Sequence, residues 1–248
     1  MKCGTKGVSK ISLLASFLFL YVPIQPAAFT QEAVIENFLI KKGSDEVDKV
    51  FFCPGQGETI ESIIIALILS AQKIHGALYL LSQKTIIEAL IAAHKKGIEI
   101  QLVIDNGALS NTGNFLFLPR AGVPIFLFDG TRFAPLMHNK FLIFKNVPKV
   151  GDVVVSGSMN FTQSGLFSNA ENFTVRNKSE IIAQYARQFH DLIGKCDRLI
   201  LSPTKPQTKR KRTRQEHQDQ EEPYDIPDHI AKKLATGKMA RYVTQIKK

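Results

Sequence analysis

Between about residues 47 and 198 the apolar positions recur with two spacings, every second residue and every third to fourth, and the alternation of the two outlines a fold. Lys49-Val50-Phe51-Phe52-Cys53 reads as a strand, Gly55 and Gly57 punctuate, and Glu58 to Lys73 is predicted to be a helix. Ala77 to Leu81 follows as a strand, Lys84 to Lys96 as a helix closed by Gly97, and Glu99 to Asp105 as a strand. Beyond a Gly/Asn/Ser-rich stretch from Asn106 to Asn114, the β-branched and aromatic content marks strands at Pro124 to Phe128, Asn139 to Lys145 and Val153 to Gly157. Ser179 is expected to cap a last helix whose Ile182, Tyr185, Phe189, Leu192 and Ile193 share one face. Strands interleaved with helices and followed by a hairpin imply an α/β fold, a mixed β-sheet sandwiched by helices in a single domain. No segment of the chain repeats another.

The ends differ from this middle. Three lysines (Lys2, Lys6, Lys10) precede an apolar run from Ile11 to Ile24, followed by Gln25-Pro26-Ala27-Ala28. A run of fourteen residues is short for a bilayer span and suits a signal-peptide core, so residues 1–30 read as an export signal or an uncleaved N-terminal anchor. The expected location is therefore the periplasm, cell envelope or exterior. The catalytic domain is expected over residues 31–200, and residues 201–248 form a basic tail. In that tail Lys209 to Arg214 is a basic block, Glu216 to Glu222 an acidic one, and Ile226 to Ile246 a candidate short helix.

Charge sharpens the division. Of the net +10, residues 1–30 carry +3, residues 31–200 only +1, and residues 201–248 carry +6. The basic balance thus describes the ends, and contact with nucleic acid or an anionic membrane attaches first to the tail. Ordinary globular composition, 44% hydrophobic and 22% charged, excludes a coiled-coil rod or a wholly disordered chain. Cys3, Cys53 and Cys196 form no CxxC pair and no His/Cys cluster, which leaves no zinc-ligand set; in an exported protein Cys53 and Cys196 either pair or stay as buried thiols.

The chemistry-bearing residues crowd into one stretch: Met137-His138-Asn139-Lys140, then Gly157-Ser158-Met159-Asn160, then Asn169-Ala170-Glu171-Asn172. At the start of a strand, His138 and Lys140 project to one face and combine a nucleophile with an anion-binding cation. Gly157 permits close backbone approach, and Ser158 and Asn160 add neutral donors. Glu171, opening the next strand, is suited to hold an imidazole in one tautomer. No carboxylate cluster accompanies them to hold a metal, and the set suits a phosphate ester. Elsewhere His75, His94 and His190 read as packed or solvated, Asp105 as a turn or cap residue that could line the sheet edge near the site, and Thr162 with Gln163 as the cap of a short helix.

His138-x-Lys140 followed by Gly157-Ser158-x-Asn160 resembles the HKD motif of the phospholipase D superfamily. Over residues 48–198 the order of elements is similar to that of the small single-motif bacterial endonucleases and mitochondrial cardiolipin hydrolase. The resemblance implies a phosphodiesterase that needs no metal or cofactor and works through a covalent phosphohistidine. It implies His138 as nucleophile or acid/base, Lys140, Ser158 and Asn160 on the phosphoryl oxygens, and Glu171 orienting a histidine. The family uses two motifs related by a pseudo-twofold axis, whereas this chain carries one, so a homodimer with the site at its interface is implied. Two departures stand out. Lys145 occupies the place of the motif aspartate, with Asp152 as a spatial substitute or a turn residue, and the spacer from Asn146 to Ser156 is long, with its extra length at a hairpin tip. Three functions follow. The first is an endonuclease on DNA or RNA. The second is a phospholipase D or cardiolipin hydrolase, for which the Phe115-Leu116-Phe117-Leu118 stretch would meet lipid. The third is a degenerate binding module, suggested by Lys145.

Overall fold

The structure, a computed structural model, describes residues 30–41, 43–107, 113–130 and 136–199, so the apolar run 11–24 and the tail 201–248 lie outside the described residues. Eight strands form one mixed sheet: β1 (Asp48–Cys53), β2 (Lys73–Leu78), β3 (Glu99–Asp105), β4 (Ile125–Phe128), β5 (Lys140–Val147), β6 (Gly151–Gly157), β7 (Glu171–Arg176) and β8 (Asp197–Arg198). Their spatial order is β1-β7-β6-β5-β2-β3-β4-β8. The β2-β3-β4 pairs are parallel and the others antiparallel, as expected where helices connect the former and hairpins or reversals the latter.

On one face lie α1 (Gln31–Leu39), α2 (Gly57–Ser70), α3 (Lys84–Lys95) and the short α5 (Gln163–Phe167), around a core that includes Ile63, Leu67, Leu90, Leu142, Phe144 and Phe173. On the other lies α6 (Ser179–Ile193), whose Ile182, Phe189 and Leu192 pack on Phe141, Ile143 and Val154. The alternation along β5, with Phe141 and Ile143 toward α6 and Leu142 and Phe144 toward α2, is the period-2 pattern of a strand buried on both faces.

Some boundaries differ from those expected. Helix α2 stops at Ser70 and β2 begins at Lys73, where a helix to Lys73 and a strand from Ala77 to Leu81 were predicted. Gly76 explains the shift: a Cβ there would lie 2.3 Å from Leu142 Cδ2 and 2.9 Å from the Phe141 carbonyl oxygen, so this glycine lets two strands close tightly and is not a turn residue. The last helix is capped by Lys178, with Ser179 as its first residue and no side-chain cap. Thr162, by contrast, caps α5 as expected, its hydroxyl accepting from the Gly165 N–H at 3.0 Å. Two elements were not read from the sequence: helix α1, although its Val34, Ile35, Phe38 and Leu39 share one face, and the chain from Gly113 to Arg120, a 3₁₀ turn (Gly113–Leu116) running into the four-residue α4 (Phe117–Arg120).

The two cysteines among the described residues stand at opposite edges of the sheet. Cys53 ends β1 with its thiol 3.6 Å from Met159 Sδ, and Cys196 precedes β8 on the α6 side, its thiol donating to the Leu192 carbonyl. Seven inter-strand gaps separate β1 from β8, roughly 33 Å, far beyond the Cα separation a disulfide tolerates. Both are free thiols, each with its pKa raised, chiefly by burial and further by Glu171 and Asp197 respectively, Cys196 to about 11.

Candidate active site

Four strand ends meet at one end of the sheet: the C-termini of β2 and β6 and the N-termini of β5 and β7. The turn after β2 is stitched to the segment after β6 by Phe161 N–H donating to the Leu80 carbonyl and the Ser82 and Gln83 N–H groups donating to the Phe161 carbonyl. Beneath it the Glu61 side chain, 1% exposed, accepts from Gln83 Nε2 at 2.7 Å and from the Thr85 hydroxyl, so a buried acidic residue on α2 fixes the entry to α3.

His138 lies just outside β5 and is exposed, while Lys140 is the first residue of β5 and only 8% exposed. The Lys140 ammonium lies 3.0 and 3.1 Å from the two imidazole nitrogens and donates to the His138 carbonyl at 3.0 Å. Burial lowers the Lys140 pKa, and the charge of Glu171 opposes that shift. Glu171 therefore belongs to the electrostatic surroundings of the pair. Its own hydrogen bonds go elsewhere: the Ser158 hydroxyl donates to its Oε2 at 2.5 Å, and Asn169 Nδ2 to its Oε1 at 3.4 Å. The same hydroxyl accepts from the Asn172 N–H at 3.1 Å, and the Ser158 N–H donates to Asn172 Oδ1 at 3.3 Å. Asn160 has its buried side-chain oxygen without a hydrogen-bond partner among the described residues. Gly157 has a φ of +152°, and a Cβ on it would lie 2.2 Å from the Asn172 carbonyl oxygen, so only glycine lets β6 approach β7 here.

The structure thus gathers the predicted residues into two hydrogen-bonded groups, His138 with Lys140 and Ser158 with Glu171, and in this chain Glu171 is bonded to Ser158, not to the imidazole. A cleft of about 260 Å³ between Phe52, Cys53, Ser158, Ala170, Glu171 and Asn172 opens beside them. A larger one of about 530 Å³ lies between α1, β1, α2 and α5 and contains none of these groups.

Two residues were not singled out as site residues from the sequence. Tyr79, one residue past β2, has its ring centroid 4.5 Å from that of His138 and 5.4 Å from the Lys140 ammonium. Asp105, 3% exposed, accepts from the Gly107 N–H at 2.8 Å and, across the sheet end, from the Met137 N–H at 2.9 Å, so it tethers the chain just before His138. Neither carries a spacing signal, because each reaches the site from a different strand. Lys145 and Asp152 pair with each other at 2.6 Å beside the far hairpin turn. Five residues along β5, that is about 17 Å from Lys140, neither takes part in the site. His75, His94 and His190 also lie outside these groups; His75 stacks on Phe189 at 4.4 Å. Of the apolar stretch before Pro119, Phe115 and Leu118 are core and Phe117 is 53% exposed.

Residues 64–193 match the family described as "Cardiolipin synthase, PLD-like domain", just over half of the 248 residues. The chain belongs to the phospholipase D-like family. Among curated relatives, mitochondrial cardiolipin hydrolase of Xenopus laevis is 23% identical over 145 residues, covering 58% of this chain and 65% of the relative. That of Chlamydomonas reinhardtii is 27% identical over 115 residues, 46% of this chain and 48% of the relative. The chain therefore spans less than two thirds of these relatives. Among solved structures, the phospholipase D family member Nuc of Salmonella typhimurium superposes with a TM-score of 0.55 at 23% identity, over 63% of this chain and 99% of that one. NucT of Helicobacter pylori superposes with 0.54 at 19% identity, over 61% and 98%. The mixed sheet flanked by helices is the Nuc fold. Among the described residues no helix is long and apolar enough to cross a membrane.

Proposed function

We propose that the protein is a metal-independent phosphodiesterase that cleaves nucleic acid through a phosphohistidine at a site completed by a second copy of the chain. The observation that carries the reading is the His138 imidazole packed against the Lys140 ammonium at an open sheet end, a nucleophile and a charge neutraliser within 3.1 Å. A ring nitrogen of His138 attacks phosphorus while the bond to the leaving oxygen breaks. The His138 of the second copy gives that oxygen its proton, then takes one from the water that attacks phosphorus and breaks the P–N bond. Lys140 and Asn160 hold the non-bridging oxygens, with Ser158 joining them when its hydroxyl leaves Glu171. The cleft beside the motif is small and open on one side, which agrees with half a site per chain. Lys145 stands well away from the chemistry, which speaks against a dead site.

Nucleic acid is preferred to lipid because the stretch that would meet lipid is largely core, with Phe115 and Leu118 buried and Phe117 left exposed. The +6 carried by residues 201–248 supplies the phosphate-neutralising charge that nucleic-acid affinity requires. Phe52 and Leu136, 61% and 52% exposed beside the motif, favour the second reading, hydrolysis of a phospholipid such as cardiolipin, which is also what the curated relatives are named for.

The test is single-stranded DNA in excess EDTA, with cardiolipin vesicles alongside. Cleavage of DNA that falls by at least about a thousandfold in His138→Ala is the expected result. Turnover of vesicles alone would move the assignment to lipid, and turnover of neither would remove the enzyme reading.

A further inference from the structure

His138 stands outside the strand ladder with an exposed side chain. Among the described residues Lys140 and Tyr79 lie against that ring, and Tyr79 lies beside both members of the pair. Its ring lies 4.5 Å from the imidazole at a tilt of 54°, and the Lys140 ammonium sits 5.4 Å from its centroid, within the range in which an ammonium is attracted to an aromatic face. Its backbone is fixed too, since the Tyr79 N–H donates to the carbonyl of Asn139, the residue between His138 and Lys140, at 2.8 Å. One half-buried aromatic residue therefore sets the height of the motif backbone and walls the motif side chains.

We infer that Tyr79 is a positioning residue for the phosphoryl-transfer pair, its ring holding the His138 imidazole and the Lys140 ammonium in register with each other. The assignment rests on the phosphodiesterase reading above for its kinetic consequence and on geometry alone for the contact. The aromatic face, not the phenolic hydroxyl, makes both contacts, so phenylalanine retains the function and an aliphatic residue loses it. Because misplacing a reacting group by about 1 Å costs on the order of a hundredfold in rate, the loss falls on kcat more than on KM.

The experiment uses the full chain and its Tyr79→Phe and Tyr79→Leu variants, with metal-free cleavage of single-stranded DNA as one readout. The imidazole proton resonances of His138, assigned by their disappearance in His138→Asn, are the other. Tyr79→Phe is expected to stay within about twofold of wild type in kcat, and Tyr79→Leu to lose about tenfold or more with KM within about twofold, at an unchanged melting temperature. In Tyr79→Leu the His138 resonances move, because the ring current of the neighbouring aromatic is gone, while Tyr79→Phe leaves them near their wild-type positions. Full kcat in folded Tyr79→Leu overturns the inference, as does a Phe variant as impaired as the Leu variant. If wild type cleaves nothing the phosphodiesterase reading fails instead, and the resonances then decide: unmoved in Tyr79→Leu, they refute the contact. If Tyr79→Leu fails to fold, the Phe variant still decides, since loss of kcat or displaced His138 resonances there overturns the role given to the ring.

Discussion

Protonation at a single half-buried ring illustrates how residue-scale chemistry reaches global stability. His75, in the middle of β2, faces α6, where it stacks on Phe189 at 4.4 Å with His190 edge-on at 6.2 Å. Its Nε2 is buried with no hydrogen-bond partner among the described residues. Burial first, then Lys73, His190 and Lys145, with Glu99 opposing, pull its pKa down to about 4. The unfolded chain, with an ordinary imidazole near 6.5, binds the proton more readily than the native one, so native stability is full above about pH 6.5 and falls as the pH drops toward 4. Allowing for partial solvent access to the ring, this amounts to about 2 kcal/mol. Urea unfolding at pH 7 and pH 4.5 checks it: His75→Gln is expected to lose less stability between the two pH values than wild type, and equal losses would refute the assignment. At the candidate site the contacts are close ones: Gly157 leaves no room for a Cβ beside the Asn172 carbonyl, and Ser158 joins Glu171 to Asn172 through its hydroxyl.

At the scale of elements, the β5-β6 hairpin reconciles the chain with its family. Its extra residues form an irregular end of the hairpin around Val147, where Asn146, Lys149 and Gly151 take positive φ, and they extend the hairpin away from His138. There Lys145 donates to Asp152, whose carboxylate also accepts from the Asn146 N–H at 3.0 Å. Burial raises the Asp152 pKa, but these bonds outweigh it and the net shift is downward. Both side chains are about one-third exposed, so the pair is worth no more than about 1 kcal/mol. Lys145→Ala is therefore expected to keep kcat within about twofold and to lower stability by at most that amount, as read by DNA cleavage and urea unfolding. A large loss of kcat would mean that the hairpin end communicates with the site.

For the whole molecule, the decisive property is how many chains one site needs. If the histidines of two chains act in one cycle, refolding wild type together with increasing His138→Ala makes activity fall with the square of the wild-type fraction. If each chain acts alone, it falls linearly. The sheet also fixes what cannot happen within one chain, because β1 and β8 at its two edges keep Cys53 and Cys196 from pairing.

Much of this was legible in the residues because it is local. The periods of 2 and 3.6 located most strands and three of the longer helices, and the spacing of His138, Lys140, Gly157, Ser158, Asn160 and Glu171 marked one candidate site whose residues the fold brings to one end of the sheet. A strand's side chains alternate whatever it pairs with, and a motif within one hairpin and its neighbour stays together in any register that buries the same face. The start of β2 was not legible, because the tight approach of Gly76 to Phe141 and Leu142 is a contact with β5, far along the chain. The roles of Tyr79 and Asp105, the pairing of Lys145 with Asp152 and the bonding of Glu171 to Ser158 were likewise decided only by tertiary structure. Each depends on which strand lies beside which, and that order follows from closing one sheet between two layers of helices, not from any spacing along the chain.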